Sequence, residues 1–201
     1  MILDTPTHTN LNLGILDAIS RSKTEGRSIL FSYTFPFQTR DLLPLLSHPA
    51  DKNEYRVYWE QPDEGFSMAG LGKVIEVNLD SSTSLNRLNK KISDYFKTSI
   101  HVSDSPFAGP RFLGGHSFDV SSKTDQVWKG IPKASYILPE CLATLTLDGC
   151  WLTISRMISD SDNHKSLLKE FNKNCILYEK RLPVTFPPLG HVPVDMYKNI
   201  P

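Results

Sequence analysis

Residues 141–158 read CLATLTLDGCWLTISRMI, two alternating apolar and polar runs on either side of an Asp-Gly pair. Alternation with a period of two is typical of half-buried strands, and Asp-Gly is a preferred pair for a type I′ hairpin turn. A two-residue turn at Asp148-Gly149 pairs Leu145 with Leu152, and it predicts that this apolar face lies in the core. Thr144 and Thr153 are then expected on the opposite, uncovered face.

The three cysteines are Cys141, Cys150 and Cys175, an odd set without CxxC spacing. In the predicted register Cys141 lies opposite Arg156, which excludes a disulfide between Cys141 and Cys150. Neither a disulfide framework nor a zinc site is indicated. We interpret the cysteines as small buried apolar residues in a reducing compartment.

The remaining periodic segments complete an α+β pattern. Helical spacing of apolar residues predicts helices near 10–25, 38–47, 85–96 and 162–181. Strand-forming runs lie at 29–35, stopped by Pro36, and at 56–60 and 66–79, which form a hairpin. We therefore predict an α+β fold, a largely antiparallel sheet with flanking helices.

Proline content divides the chain into two regions. Residues 1–182 carry the periodic segments and are predicted to form one domain. Residues 183–201 contain five prolines, which prevent a long helix or a central strand. This tail is interpreted as a linker or as an arm on a neighbouring surface.

Charge and hydropathy exclude several classes of partner. The 22 basic and 22 acidic residues cancel, so no long-range positive field favours nucleic acid or anionic lipid. The basic side of the helix at 85–96 is accordingly interpreted as a solvated face. Without an apolar run of roughly 20 residues or a signal-peptide pattern, the expected location is cytoplasmic.

Two glycine motifs superficially suggest catalytic or cofactor sites. Gly70-Leu71-Gly72 lacks the third glycine of a dinucleotide loop, and the segment continues as strand instead of opening a helix. Gly115-His116-Ser117-Phe118-Asp119 lacks the small residues and the helix that a nucleophile elbow needs. Strand glycines that permit close backbone approach are the better interpretation of the second motif.

Titratable residues do not form a recognisable site either. Glu60, Asp63 and Glu64 lie at a predicted hairpin tip, where a solvated turn explains them better than acid/base catalysis. The six histidines are scattered without ligand spacing: His8, His48, His101, His116, His164 and His191. We therefore assign no catalytic, cofactor-binding or metal-binding residue to the chain.

Three blocks of sequence resemble isochorismate synthases of the chorismate-utilising enzyme family. VYWEQP at 57–62 and MAGLG at 68–72 are similar to an N-terminal YWE-x-P … x-AGLG block. PRFLGGHSFD at 110–119 is similar to PRFFGGFAFD, and Trp128 with ASYILPE at 134–140 resembles a W…FP-x-A-x-F-x-LPE stretch. The LLES-type motif of the tryptophan-binding relatives is missing. Isochorismate or salicylate synthases are thus favoured over anthranilate and aminodeoxychorismate synthases.

The resemblance implies a function that the residues themselves do not reveal. The chain would be the N-terminal part of an aminodeoxychorismate synthase-like sandwich, and the tail at 183–201 would lead toward a C-terminal chorismate-binding domain. That domain would bind chorismate and Mg²⁺, and the complete enzyme would be an isomerase making isochorismate for menaquinone, phylloquinone or siderophore biosynthesis. The 201-residue chain alone would be inactive. The alternative is a stand-alone, non-catalytic scaffold or small-ligand-binding module.

Overall fold

The computed structural model describes residues 6–47, 55–79, 84–103, 105, 108–118 and 130–182. Its helices are α1 (Pro6–Glu25), α2 (Leu43–Ser47), α3 (Leu85–Lys97) and α4 (His164–Arg181). Its strands are β1 (Ile29–Phe37), β2 (Arg56–Gln61), β3 (Phe66–Leu71), β4 (Ile75–Asn78), β5 (Ile100–Val102), β6 (Leu113–His116), β7 (Ala134–Leu138), β8 (Cys141–Thr146) and β9 (Gly149–Ile158). A short 3-10 turn, Pro62–Glu64, joins β2 to β3. Trp128 and the tail at 183–201 lie outside the described residues.

The strands form two sheets. The large sheet has six strands in the order β2-β3-β8-β9-β1-β5, and the small sheet has three in the order β4-β7-β6. Only β1 and β5 pair in parallel, and every other pair among the described strands is antiparallel. The predicted α+β class with a largely antiparallel sheet is confirmed.

Local sequence explains where the helices begin and end. The side chains of Ser84 and Asn163 each accept a hydrogen bond from a backbone N–H in the first turn of α3 and α4. Gly26, at φ +63°, follows the last residue of α1 in the left-handed conformation that glycine allows. The four predicted helices are confirmed, although α2 begins only at Leu43.

One face of the large sheet, the helix face, lies under α1, α2 and α4. Phe31 of β1 and Leu152 of β9 are fully buried there, together with Leu11 and Ile15 of α1 and Phe171 of α4. Burying such apolar side chains is the main force that holds the helices on the sheet.

The opposite face of the large sheet, the small-sheet face, is also covered. Leu30 and Met157 project from it into a second cluster, with Val77 of β4, Leu138 of β7 and Leu88 of α3. Every residue from 29 to 35 is buried, so the prediction of a half-buried β1 is wrong. The small sheet, whose strands come from distant parts of the chain, covers this face of β1. The alternation of residues within β1 does not by itself predict that a second sheet lies there.

Pro36 does not end β1, contrary to the prediction. The strand continues to Phe37, and Pro36 lies opposite Trp151 of β9. On the other side, β5 pairs only with residues 31–33 of β1. At residue 36 the strand thus has a neighbour on one side only among the described residues, a position where proline is tolerated.

The β8–β9 hairpin is confirmed, but its predicted register is wrong by two residues. The turn residues are Leu147 and Asp148, so Leu145 pairs with Cys150 rather than with Leu152. A type I′ turn needs positive φ at both of its central residues, whereas no described residue other than glycine has positive φ. The Thr146 hydroxyl accepts a hydrogen bond from the Asp148 N–H at 3.0 Å, which favours the turn one residue earlier.

A shift of two residues leaves each side chain on its predicted face, because the period of a strand is two. Cys141 now lies opposite Ile154 instead of Arg156. All three cysteines are free thiols, which agrees with the predicted lack of a Cys141–Cys150 disulfide.

Four hydroxyl side chains on the small-sheet face form a hydroxyl row: Ser32, Thr34, Thr153 and Ser155. Ser32 Oγ and Ser155 Oγ are 2.9 Å apart, and Thr34 Oγ1 and Thr153 Oγ1 are 2.8 Å apart. Thr34 Oγ1 also lies 2.8 Å from His101 Nε2 of β5. Hydrogen bonds within the row replace those that these hydroxyls would make with water, so burying them costs little free energy.

Thr144 and Thr153 are both fully buried, so the expectation that they lie on an uncovered face is wrong. They differ in one respect, because Thr144 Oγ1 has no hydrogen-bond partner among the described residues. A buried, unpaired hydroxyl costs about 1–3 kcal/mol of desolvation free energy.

Thr144→Val is therefore expected to stabilise the chain by about 1 kcal/mol, since valine has the same shape without the hydroxyl. Thr153→Val is the matched variant and is expected to destabilise by about 1 kcal/mol, since Thr153 is bonded to Thr34. Urea unfolding followed by circular dichroism measures both. Equal changes for the two variants would contradict the assigned hydrogen bonding.

Candidate functional site

Two of the sequence blocks described above, MAGLG and ASYILPE, meet at the junction of the two sheets. A Cβ atom added to Gly70 would lie 2.8 Å from Pro139 Cγ, and one added to Gly72 would lie 2.9 Å from Glu140 Cβ. These contacts bring the MAGLG block against the end of the ASYILPE block. At this junction the chain leaves β7 in the small sheet and enters β8 in the large one.

Gly72 marks a second crossing between the sheets. Its φ of +66° turns the chain, and the predicted strand at 66–79 divides there into β3 of the large sheet and β4 of the small sheet. The prediction of one continuous strand is thus wrong. No helix follows Gly70-Leu71-Gly72, which agrees with the exclusion of a dinucleotide loop.

The third block approaches the same small sheet through Gly114. A Cβ atom on Gly114 would lie 1.9 Å from the backbone oxygen of Ser135 in β7. Gly115-His116 completes strand β6, and Phe118 beyond it is fully exposed. The expected strand is present, but the close backbone approach occurs at Gly114, just before the motif, whereas a Cβ atom on Gly115 would meet nothing within 4 Å. Asp119 lies outside the described residues.

Glu140 stands at the centre of the junction, beside a cleft of about 310 Å³, the Glu140 cleft. Its Oε1 atom accepts hydrogen bonds from Asn174 Nδ2 and Tyr178 Oη of α4, both at 3.4 Å. Its backbone oxygen accepts one from the Ser155 N–H at 2.8 Å. Glu140 thereby connects both sheets to α4.

The other charged groups of the Glu140 cleft are paired. Arg156 donates to Glu170 and, at 3.3 Å, to Asp162, while Lys73 donates to Glu76. The Lys73 ammonium is the main reason that the pKa of Glu76 lies below its usual value. Because partners already neutralise these charges, the cleft is better suited to joining elements than to acid/base chemistry.

Of the residues considered as sites from sequence, those that the structure describes are not brought into a catalytic cluster, and His48, His191 and Asp119 lie outside the described residues. Glu60, Asp63 and Glu64 are exposed around the β2–β3 turn, as expected for a solvated tip. Within the described ranges, no group of three His, Cys, Asp or Glu side chains lies close enough to hold a metal ion. His101 bonds the hydroxyl row, and His116 Nδ1 lies 3.0 Å from the Ser117 backbone oxygen.

The thiols are not activated as nucleophiles. Burial raises the pKa of Cys150 to about 12. Burial, and to a smaller degree the charge of Glu179, raises the pKa of Cys175 to about 12 as well. Cys141 is completely buried. A catalytic cysteine needs the opposite environment, one that favours the thiolate.

At pH 8 the three thiols of the folded chain are expected to react with iodoacetamide at least about 100-fold more slowly than in urea. Cys150 and Cys175 carry little thiolate, and burial keeps the reagent from Cys141. The rate should rise as the pH approaches 12, where Cys150 and Cys175 lose their protons. Mass spectrometry of timed samples measures the labelling. One thiol that reacts equally fast in folded and unfolded chains would contradict the assigned environment.

In the described part of the chain, no helix combines the length and apolar character needed to cross a lipid bilayer.

Comparison with known proteins gives two findings. A family model described as chorismate binding enzyme matches residues 17–188. The chain is also similar to the isochorismate synthase MenF of Bacillus subtilis (strain 168), at 24% identity over 163 residues. That alignment covers 77% of this chain and 35% of the relative, so the chain spans about a third of the length of the curated relative it matches.

Proposed function

We propose that this chain, which belongs to the family of chorismate binding enzymes, forms the N-terminal, structural portion of an isochorismate synthase. The complete protein would convert chorismate to isochorismate, adding water at C2 with loss of the C4 hydroxyl. The product would feed the biosynthesis of a quinone or a siderophore.

The observation that carries this proposal is that two of the resembling blocks, MAGLG and ASYILPE, meet at Pro139 and Glu140, while the third packs on β7 of the small sheet. The glycines of MAGLG leave room for Pro139 and Glu140, and Gly114 leaves room for the backbone of β7. These residues thus support the packing of two sheets and α4, which explains their spacing without assigning them a chemical step. Similarity to MenF supports the choice of reaction within the family.

Chorismate and Mg²⁺ are proposed to bind to a C-terminal portion. There, by resemblance, a lysine activates water and a glutamate protonates the leaving hydroxyl. The described residues of this chain offer no set of ligands that fits a metal ion, so no step of the reaction is assigned to a metal held by them. Their proposed role is to hold the sheets that support the active site.

The test is to purify the natural protein that contains this sequence and to follow chorismate with Mg²⁺ by liquid chromatography. Isochorismate is the expected product. Salicylate would identify a salicylate synthase, and anthranilate or aminodeoxychorismate would contradict the proposed reaction. The 201-residue chain by itself serves as the control and is expected to convert no chorismate above a no-protein blank.

A stand-alone binding module is the second candidate, favoured by the burial of β1 on both faces within the described residues. A natural protein of this length that converts no chorismate but binds a small ligand would support the module and overturn the synthase proposal.

A further inference from the structure

A second concave surface lies between α3, the start of β1 and β4. This α3 groove encloses about 720 Å³, within the range of small-molecule sites. Four basic residues line it: Arg27, Arg87, Lys90 and Lys91. The predicted solvated face of α3 is therefore one wall of a groove, because the fold brings Arg27 and β4 opposite the helix.

Three of these cations form no ion pair with a carboxylate of the described residues, although the charge of Lys90, after that of Lys97, helps to lower the pKa of Asp94. Arg27 pairs with Glu25 at 2.8 Å, and Asp94, the acid in the groove, pairs with Lys97 at 3.0 Å. No carboxylate of the described residues forms an ion pair with Arg87, Lys90 or Lys91. The groove thus carries a concentrated positive charge in a chain whose net charge is zero.

The positive charges of Arg87 and Lys91 do not stabilise α3 at their positions. Arg87 lies in the first turn of α3, where the helix dipole disfavours a cation, and that turn contains no acidic residue. Arg87 and Lys91 are four residues apart, so their like charges repel on one helix face. Residues that disobey the local preferences of a helix without a compensating contact are typical of functional positions.

The floor of the groove is apolar. Leu30, Val77 and Leu88 are buried beneath it, and the Tyr95 ring is half-buried at its side. Cations above an apolar floor suit a ligand that is both anionic and partly apolar, such as a ring that carries two acid groups.

We infer that the α3 groove binds a small organic polyanion, a ring compound with two or more carboxylate or phosphate groups, through Arg87, Lys90 and Lys91. This inference does not rest on the proposed function. Nucleic acid is disfavoured because the chain is neutral overall and the cations surround a pocket instead of following a stripe.

Isothermal titration of the full 201-residue chain with naphthalenedicarboxylate tests the inference, with pyrophosphate and naphthalenedimethanol as comparison probes. The dicarboxylate should bind with a Kd below about 1 mM. It should also bind more tightly than the other two, since pyrophosphate lacks the apolar body and the dimethanol lacks the charge. Absence of binding, or equal binding of either comparison probe, overturns the inference.

The variant Arg87→Gln/Lys90→Gln/Lys91→Gln should raise the Kd of the dicarboxylate about tenfold, since it removes three ion pairs of modest strength. The matched control is Lys165→Gln/Lys169→Gln/Lys173→Gln, which removes the same charge from the exposed face of α4. Its Kd should not change. An equal loss of affinity in both variants would show only a general effect of charge, and it would overturn the assignment of the binding site to the α3 groove.

Thermal unfolding of the same two variants shows whether the three cations are structural. The α3 variant should have an unchanged or higher Tm, because repulsion within the helix is relieved. A lower Tm than the α4 control would show that these cations stabilise the fold, and it would contradict their assignment to a ligand.

Discussion

Phe31→Ala is expected to destabilise the chain by about 4 kcal/mol, within the usual range for a buried phenylalanine. Phe31 is completely buried on the helix face of β1. Its ring meets that of Phe171 edge-on at 5.2 Å between centroids, which joins β1 to α4. A Cβ atom on Gly14 of α1 would lie 2.8 Å from the same ring. Removing the ring therefore opens a cavity between the sheet and two helices.

Urea unfolding monitored by circular dichroism measures this loss. Phe118→Ala is the matched control, because Phe118 is fully exposed and its truncation should change the free energy of unfolding by less than about 0.5 kcal/mol. Similar losses in the two variants would mean that the core does not lie between β1, α1 and α4.

Gly114→Ala is expected to destabilise the chain by about 3 kcal/mol, at the upper end for overpacking. The added Cβ would meet the backbone oxygen of Ser135 at 1.9 Å. Backbone cannot rotate out of the way as a side chain can, so β6 must separate from β7. Thermal unfolding and hydrogen exchange of the β7 amides both report this change.

The neighbouring residue supplies the control. A Cβ atom on Gly115 would have nothing within 4 Å, so Gly115→Ala should be tolerated. The two variants add the same atom to adjacent residues of one strand. If both unfold at the same temperature, the assigned β6–β7 contact is wrong.

The sequence predicts elements whose causes are local. The apolar spacing in α3 and α4, their capping residues Ser84 and Asn163, and the β8–β9 hairpin all depend on residues within a few positions of each other. The prediction of that hairpin's register is also wrong for a local reason. The Thr146 hydroxyl accepts a hydrogen bond from the Asp148 N–H, which favours a turn at Leu147-Asp148 over one at Asp148-Gly149.

Non-local features could not be predicted from the pattern. The three-residue strand β5 is too short to show a period, yet it pairs with β1 and places His101 beside Thr34. Strands β4 and β7 cover the small-sheet face of the large sheet, and they come from other parts of the chain than the strands they cover. The Glu140 cleft and the α3 groove likewise depend on segments far apart in sequence, so no local signal indicates them. The resemblance pointed to the block that contains Glu140, but not to its contacts.

The pairing of β1 with β9 affects how the chain must fold during synthesis. Ser32 and Ser155, which bond each other across this pair, are 123 residues apart. Until β9 leaves the ribosome, the apolar run at 29–35 has neither its antiparallel neighbour nor the hairpin beyond it. Long-range pairing of this kind slows folding and leaves strand edges open to association with other chains. We therefore expect newly made chains to depend on chaperones, and to aggregate most readily when translation stops between β1 and β9.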